Sequence, residues 1–278
     1  MKFKISIITI NYNDSSGLKK TIESIVGQTC KEFEFIVIDG GSTDESKEII
    51  LAAGAVISYW VSEKDEGIYN AMNKGIQKAS GDFVLFINSG DYLHDEKVIE
   101  NLINNLSDTD EIIYGDVLLR NETKNWEITQ EHPDKLNFSY FYNRTICHQA
   151  CLFKKSLFDK IFFFNEDYKI SSDWEFLIYA IYIEKVNYRK INLLISVYDT
   201  TGISGNPNFK KIAASERKKT MEKFFPLFED DYKLLSKYSS NRSKQLLQIE
   251  KSVFFRKIVS LFFKIVLVFI PKDDKEWK

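Results

Sequence analysis

The apolar residues of the first hundred positions fall into two alternating patterns. Continuous runs at residues 5–10, 33–38, about 56–61 and 83–87 predict buried strands. Helix-spaced stripes follow them: Leu18, Ile22, Ile25 and Val26, then Ile68, Ala71, Met72 and Ile76, then Val98, Ile99, Leu102, Ile103 and Leu106. Asp14-Ser15-Ser16 supplies an N-cap for the first helix, and Ser42 or Thr43 for the helix after the second strand. Four β–α units in succession predict an α/β fold with a doubly wound, mostly parallel sheet.

After about residue 110 the rhythm changes. Residues 112–119 read as a further strand, and Asn121-Glu122 with residues 126–129 as a hairpin or irregular excursion. Residues 133–165 mix aromatics with short apolar runs and give no clear element. Ser171-Ser172-Asp173 opens a helix over 172–183, and a strand at about 191–197 closes this half. From about Asn208 the chain is helical and basic. Residues 253–270 are apolar almost throughout, yet Arg256, Ser260 and Lys264 recur every four residues with Lys257 beside them. Such a cationic stripe suits a helix lying in a membrane interface, and its charges break any span across a bilayer. The competing reading packs this helix on the domain or on a second copy in a homo-oligomer. Three segments are expected: 1–110 and 111–207 as two halves of one domain, and 208–278 as a helical extension.

Composition narrows the function classes. The 278 residues are 44% hydrophobic with a net charge of −2, which excludes a generic nucleic-acid binder. Residues 2–10 are short and lack a small-residue cleavage site, so they read as a strand and not a secretion signal. Three cysteines without framework spacing favour a reducing compartment, and the cytoplasm is the expected location. Cys147-His148 and Cys151 have no second ligand pair, which disfavours zinc.

The candidate chemistry sits at strand ends. Thr9-Ile10-Asn11-Tyr12, Asp39-Gly40-Gly41-Ser42-Thr43-Asp44, Glu63-Lys64-Asp65-Glu66-Gly67 and Asn88-Ser89-Gly90-Asp91 each follow an apolar run. In a parallel sheet these ends share one edge, where ligands bind. Carboxylates there suit ribose hydroxyls or a base edge, and helix-start N–H groups suit a diphosphate. Asp91 suits Mg²⁺ or Mn²⁺ carrying that diphosphate.

These motifs, in order and spacing, resemble the family 2 glycosyltransferases of GT-A fold over about residues 3–205. The motifs are Ser6 to Asn13, Asp39 to Asp44, Asp65 to Gly75 and Asn88 to Asp91. The likeness is to bacterial members that build capsule, O-antigen or colanic-acid units. It implies a nucleoside pocket lined by Thr9, Tyr12, Asp39 and Asp65, with Ser42 and Lys74 contributing. Asn11, Asn88 and Gly90 complete the implied donor set, His148 is expected near the donor or the acceptor sugar, and Asp91 is the metal residue. Asn88 and Gly90 stand where the family commonly has carboxylates. The segment Asp167 to Glu175 resembles the family's base motif and makes Asp173 the general base. Gly202-Ile203-Ser204 resembles its mobile loop. The implied activity is inverting transfer from a nucleoside-diphosphate sugar, with UDP the expected nucleotide. The saccharide acceptor is expected to be lipid-linked, and the C-terminal helix to hold the enzyme at the inner face of the membrane. Rivals are a scaffold of the same fold, a sugar-phosphate nucleotidyltransferase and a dinucleotide dehydrogenase. Asn11-Tyr12-Asn13-Asp14 lacks the glycine-rich loop that the last two need.

Overall fold

The structure, a computed structural model, describes residues 4–202, 207–228, 231, 234 and 240–270. Ile203 and Ser204 of the expected loop and residues 271–278 lie outside the described residues. The chain divides into two compact units, Met1–Phe224 and Phe225–Lys278.

The first unit begins with β1 (Ile5–Asn11), α1 (Ser15–Val26), β2 (Phe33–Asp39), α2 (Ser46–Ala53), β3 (Tyr59–Ser62), α3 (Ile68–Lys78) and β4 (Phe83–Phe86). It continues with β5 (Tyr92–Leu93), α4 (Val98–Asn105), β6 (Ile112–Asn121), β7 (Trp126–Gln130), α5 (Phe138–Asn143), β8 (Cys151–Lys154) and α6 (Ser156–Lys160). It closes with α7 (Ser172–Tyr182), β9 (Tyr188–Asp199) and α8 (Lys210–Phe224).

One sheet runs β3-β2-β1-β4-β8-β6-β9-β5, with β7 paired to β6. The first four strands are parallel, as the β–α rhythm predicts. The second half is mixed: β8 runs antiparallel to β4 and β6, while β9 is parallel to β6. Helices cover both faces. Leu18, Ile22 and Ile25 of α1 join Ile5, Ile7, Phe35, Val37 and Leu85 in one buried layer. On the opposite face Phe86, Phe153, Phe158, Phe164 and Phe176 form an aromatic core, with Phe158 and Phe176 stacked at 4.7 Å. Each such side chain contributes about 1.5–3 kcal/mol when fully buried.

Local expectations hold in outline and fail in detail. Asp14 caps α1 by accepting from the N–H of Gly17 at 3.0 Å. Val26, predicted inward, is at the helix end and exposed. Neither Ser42 nor Thr43 caps α2, because Ser42 bonds to Asp39 instead. A 3₁₀ turn at Gly54–Val56 occupies the start of the expected third strand, which begins only at Tyr59. The segment 133–165 supplies α5, β8 and α6.

The second unit contains α9 (Asn241–Glu250) and α10 (Val253–Leu267), capped by Ser240 and Ser252. Phe254, Leu261 and Phe262 of α10 are each more than half exposed. Among the described residues no helix is long and apolar enough to cross a membrane.

Candidate active site

Parallel pairing brings the ends of β1 to β4 to one edge, where a cavity of about 940 Å³ opens. Asn11, Tyr12, Asp65, Asn88, Asp91, His148 and Asp173 all line it. Asp173 stands in the first turn of α7, where a helix start favours a carboxylate.

Asp173 is nearly buried, and both its oxygens are held. Tyr69 Oη donates to Oδ1 at 3.0 Å, and His148 Nδ1 lies 3.0 Å from Oδ2. Burial opposes its ionisation, but the His148 and Tyr69 hydrogen bonds and the His148 charge outweigh it, holding the carboxyl below its usual range. On the far side of the imidazole, Nε2 lies 3.2 Å from Asn88 Nδ2. His148 thereby links the start of α7 to the end of β4.

Asp91 is buried in the turn after β4. Its Oδ2 accepts from Gln149 Nε2 at 2.9 Å and its Oδ1 from the Asp199 N–H at 3.0 Å. Burial pushes its carboxyl up to about 7, against the lowering effect of those two bonds. Gly90 holds φ +93°, a conformation that glycine adopts without the strain an L side chain would meet.

The family resemblance implies Mg²⁺ or Mn²⁺ at this turn. Among the described residues no group of three His, Cys, Asp or Glu side chains is placed to hold a metal. The turn does carry two hard oxygen donors, the Asp91 carboxylate and Asn88 Oδ1, the latter buried without a partner. The Asp91 N–H to Asn88 carbonyl bond of 2.9 Å keeps the two residues in one turn. Such sparse protein ligands fit a cation whose shell is completed by phosphate oxygens. They do not fit a protein-only centre.

Five expected site residues do not line the cavity. Asp39 is fully buried, and its carboxylate accepts from Asn11 Nδ2 (2.7 Å), Ser42 N (2.9 Å), Ser42 Oγ (2.5 Å) and Ser62 Oγ (2.6 Å). The register that sets Asn11 opposite Asp39, and Asp39 opposite Ser62, makes it a bracket across three strands. Ser42 is spent on that bracket. Thr9 is fully buried and donates to the Ile87 carbonyl at 2.6 Å. Lys74 pairs with Glu63 at 2.7 Å. Gly90 supplies the backbone turn.

The cavity also holds residues to which the sequence reading gave no role: Tyr69, Gln149, Trp174 and Arg217. Tyr69 had a faint signal, a hydroxyl at an inward helix position among Ala71, Met72 and Ile76. Arg217 had none, lying among the many lysines of α8.

The family model described as "Glycosyl transferase family 2" matches residues 6–162. A "PGL/p-HBAD biosynthesis glycosyltransferase" of Mycobacterium bovis is 30% identical over 205 residues, covering 71% of this chain and 77% of its own. Among solved structures, S. aureus TarS 1-349 in complex with UDP-GlcNAc is similar in fold, with TM-score 0.57 and 19% identity. That match covers 70% of this chain and 58% of the TarS chain, so the chain spans less than two thirds of that neighbour. The mannosyltransferase PcManGT from Pyrobaculum calidifontis, in complex with GDP-Man and Mn²⁺, matches at TM-score 0.55 and 13% identity. It covers 94% of this chain and 84% of its own.

Proposed function

The chain belongs to glycosyl transferase family 2, and from that premise we propose an inverting transfer of a sugar from a nucleoside diphosphate, UDP in the first instance, to an acceptor hydroxyl. The observation that carries this reading is Asp173, an ionised carboxylate on the cavity wall with both oxygens oriented by Tyr69 and His148.

In this reading Asn11, Tyr12 and Asp65 receive the nucleoside, and the exposed Tyr12 offers a ring face to the base. The acceptor oxygen forms its bond to the anomeric carbon as the bond to the diphosphate oxygen breaks. Its proton passes to Asp173, and the nucleoside diphosphate leaves with the bonding electrons. A low carboxyl pKa suits this role, because the hydroxyl becomes acidic only as it bonds to carbon. Asp91 with Asn88 would hold a divalent cation, which when bound neutralises charge on the diphosphate.

The acceptor is a lipid-linked saccharide of bacterial surface polysaccharide synthesis, met at the inner face of the membrane. The apolar face and basic stripe of α10 support this placement.

Asp173→Asn tests the core claim. Transfer should fall roughly 10²–10⁴-fold, the usual contribution of a general base, while UDP affinity in calorimetric titration stays unchanged. Near-normal transfer by this variant would sink the assignment.

A further inference from the structure

Helix α8 brings an unused cation to the cavity. The Arg217 guanidinium carbon lies 4.9 Å from the centroid of the Trp174 ring, next in sequence to Asp173. Its Nε is buried without a hydrogen-bond partner, and among the described residues the group makes no salt bridge. Burial pulls its pKa down, and the nearby Asp173 and Tyr69 pull the other way. A desolvated guanidinium with five N–H donors ordinarily finds an acceptor for its charge. Asp173, whose charge acts on it, is engaged by Tyr69 and His148 at 3.0 Å each and makes no salt bridge with it.

The position is nevertheless held firmly. Glu216, one residue earlier, accepts from the backbone N–H groups of Lys169 (2.7 Å), Ile170 (3.1 Å) and Ser171 (3.0 Å). Thr220, one turn later, meets Tyr168 Oη at 3.1 Å and Glu175 Oε1 at 3.3 Å. These bonds lace α8 to the segment that leads into Asp173. Lys169 and Lys210 line the same cavity.

The choice of anion follows from stereochemistry. In an inverting displacement, nucleophile and leaving group lie on opposite faces of the anomeric carbon. With Asp173 receiving the acceptor proton and the Asn88–Asp91 turn facing the diphosphate, Arg217 stands on the acceptor's side. We propose that Arg217, stacked on Trp174 and supported by Lys169 and Lys210, forms an anion subsite for a phosphoryl group carried by the acceptor. The planar fork of the guanidinium matches phosphate oxygens in pairs. This inference rests on the reading of Asp173 as the base.

Calorimetric titration of the full chain tests it, with octyl phosphate and inorganic phosphate as probes, each with and without saturating UDP and Mn²⁺. The UDP-loaded wild type should bind octyl phosphate. Arg217→Gln should weaken that binding roughly tenfold to hundredfold, the range for a lost charge-assisted hydrogen bond, with UDP affinity unchanged. Arg217→Lys, which keeps the charge, should lose less. Tighter binding of octyl phosphate than of inorganic phosphate supports a lipid-borne group, and equal binding supports a phosphate recognised alone. Octyl phosphate binding that ignores Arg217→Gln overturns the proposal, as does its absence from a folded wild type. A loss confined to UDP assigns Arg217 to the donor and overturns the acceptor assignment. Failure of UDP to bind the wild type, with Arg217-dependent phosphate binding intact, would sink the nucleotide-sugar reading while leaving the subsite standing.

Discussion

The Asp173 carboxylate and the His148 imidazole meet at 3.0 Å, although 25 residues separate them in sequence. His148 in turn reaches Asn88 at 3.2 Å, so one imidazole spans from Asp173 to the turn that carries Asp91. Asp173 therefore does not stand alone at its helix start. Its low pKa depends on partners that can be removed one at a time.

His148→Asn removes a hydrogen bond and a favourable charge that oppose the effect of burial on Asp173. With burial less opposed, the carboxyl pKa should rise. The acid limb of kcat/KM against pH, which reports the free enzyme's base, should move to higher pH in this variant. Tyr69→Phe should move it the same way by a smaller amount. An unmoved limb in both variants would remove Asp173 from the role of titrating base.

Gly40 marks a close approach to two cavity residues, Asp65 and Tyr12. A Cβ there would stand 2.5 Å from Asp65 Oδ2 and 3.2 Å from the Tyr12 ring. Asp65 has a short side chain that can swing aside, so Gly40→Ala should fold with a nearly unchanged melting temperature. Displacement of both cavity residues should weaken UDP binding by about tenfold, equivalent to about 1.4 kcal/mol. Unchanged UDP affinity would place the nucleoside elsewhere.

Asp39 should matter to stability and not to ligand contact. Burial raises its pKa, but bonds from Ser42, Ser62 and Asn11 outweigh that and hold it below its ordinary value of 3.8. Its folded value lies below its unfolded one. The stabilisation is thus fully present above pH 3.8 and is lost as pH falls through the folded value. Asp39→Asn should cost about 1.5–3 kcal/mol at neutral pH, the range for hydrogen bonds to a charged group. Denaturant melts at pH 7 and pH 3 should show a smaller deficit for the variant at the lower pH.

The stripe of Arg256, Lys257 and Lys264 on α10 gives a salt-sensitive expectation. The full chain should co-sediment with vesicles rich in anionic lipid, less with neutral ones, and less again at high salt. Arg256→Glu with Lys264→Glu should abolish the preference for anionic vesicles. Equal recovery on neutral vesicles would favour the reading in which the helix packs on protein.

How much of this was legible in the sequence depended on distance along the chain. The four β–α units were readable because strand and helix periodicities are local, and each apolar run ended in its own polar cluster. The gathering of Asn11, Asp65, Asn88 and Asp91 at one cavity follows directly from parallel pairing. Asp173 was marked by its family-like setting at a helix start. The mixed strands β8 and β5 were invisible, being short and lacking an alternation that sets them apart from loop.

The sequence by itself determined the four strands of the first half, the helices that follow them, and that their polar ends share an edge. Only the tertiary structure decided which polar groups face the cavity and which are consumed behind it. Asp39 and Asp65 look alike as strand-end aspartates, yet the register of three strands surrounds Asp39 with donors and leaves Asp65 on the cavity wall. Tyr69, 104 residues from Asp173, and Arg217, 44 residues beyond it, reach the site through helix packing. That packing is set by side-chain shape and buried hydrogen bonds between remote segments, for which no periodic signal exists along the chain.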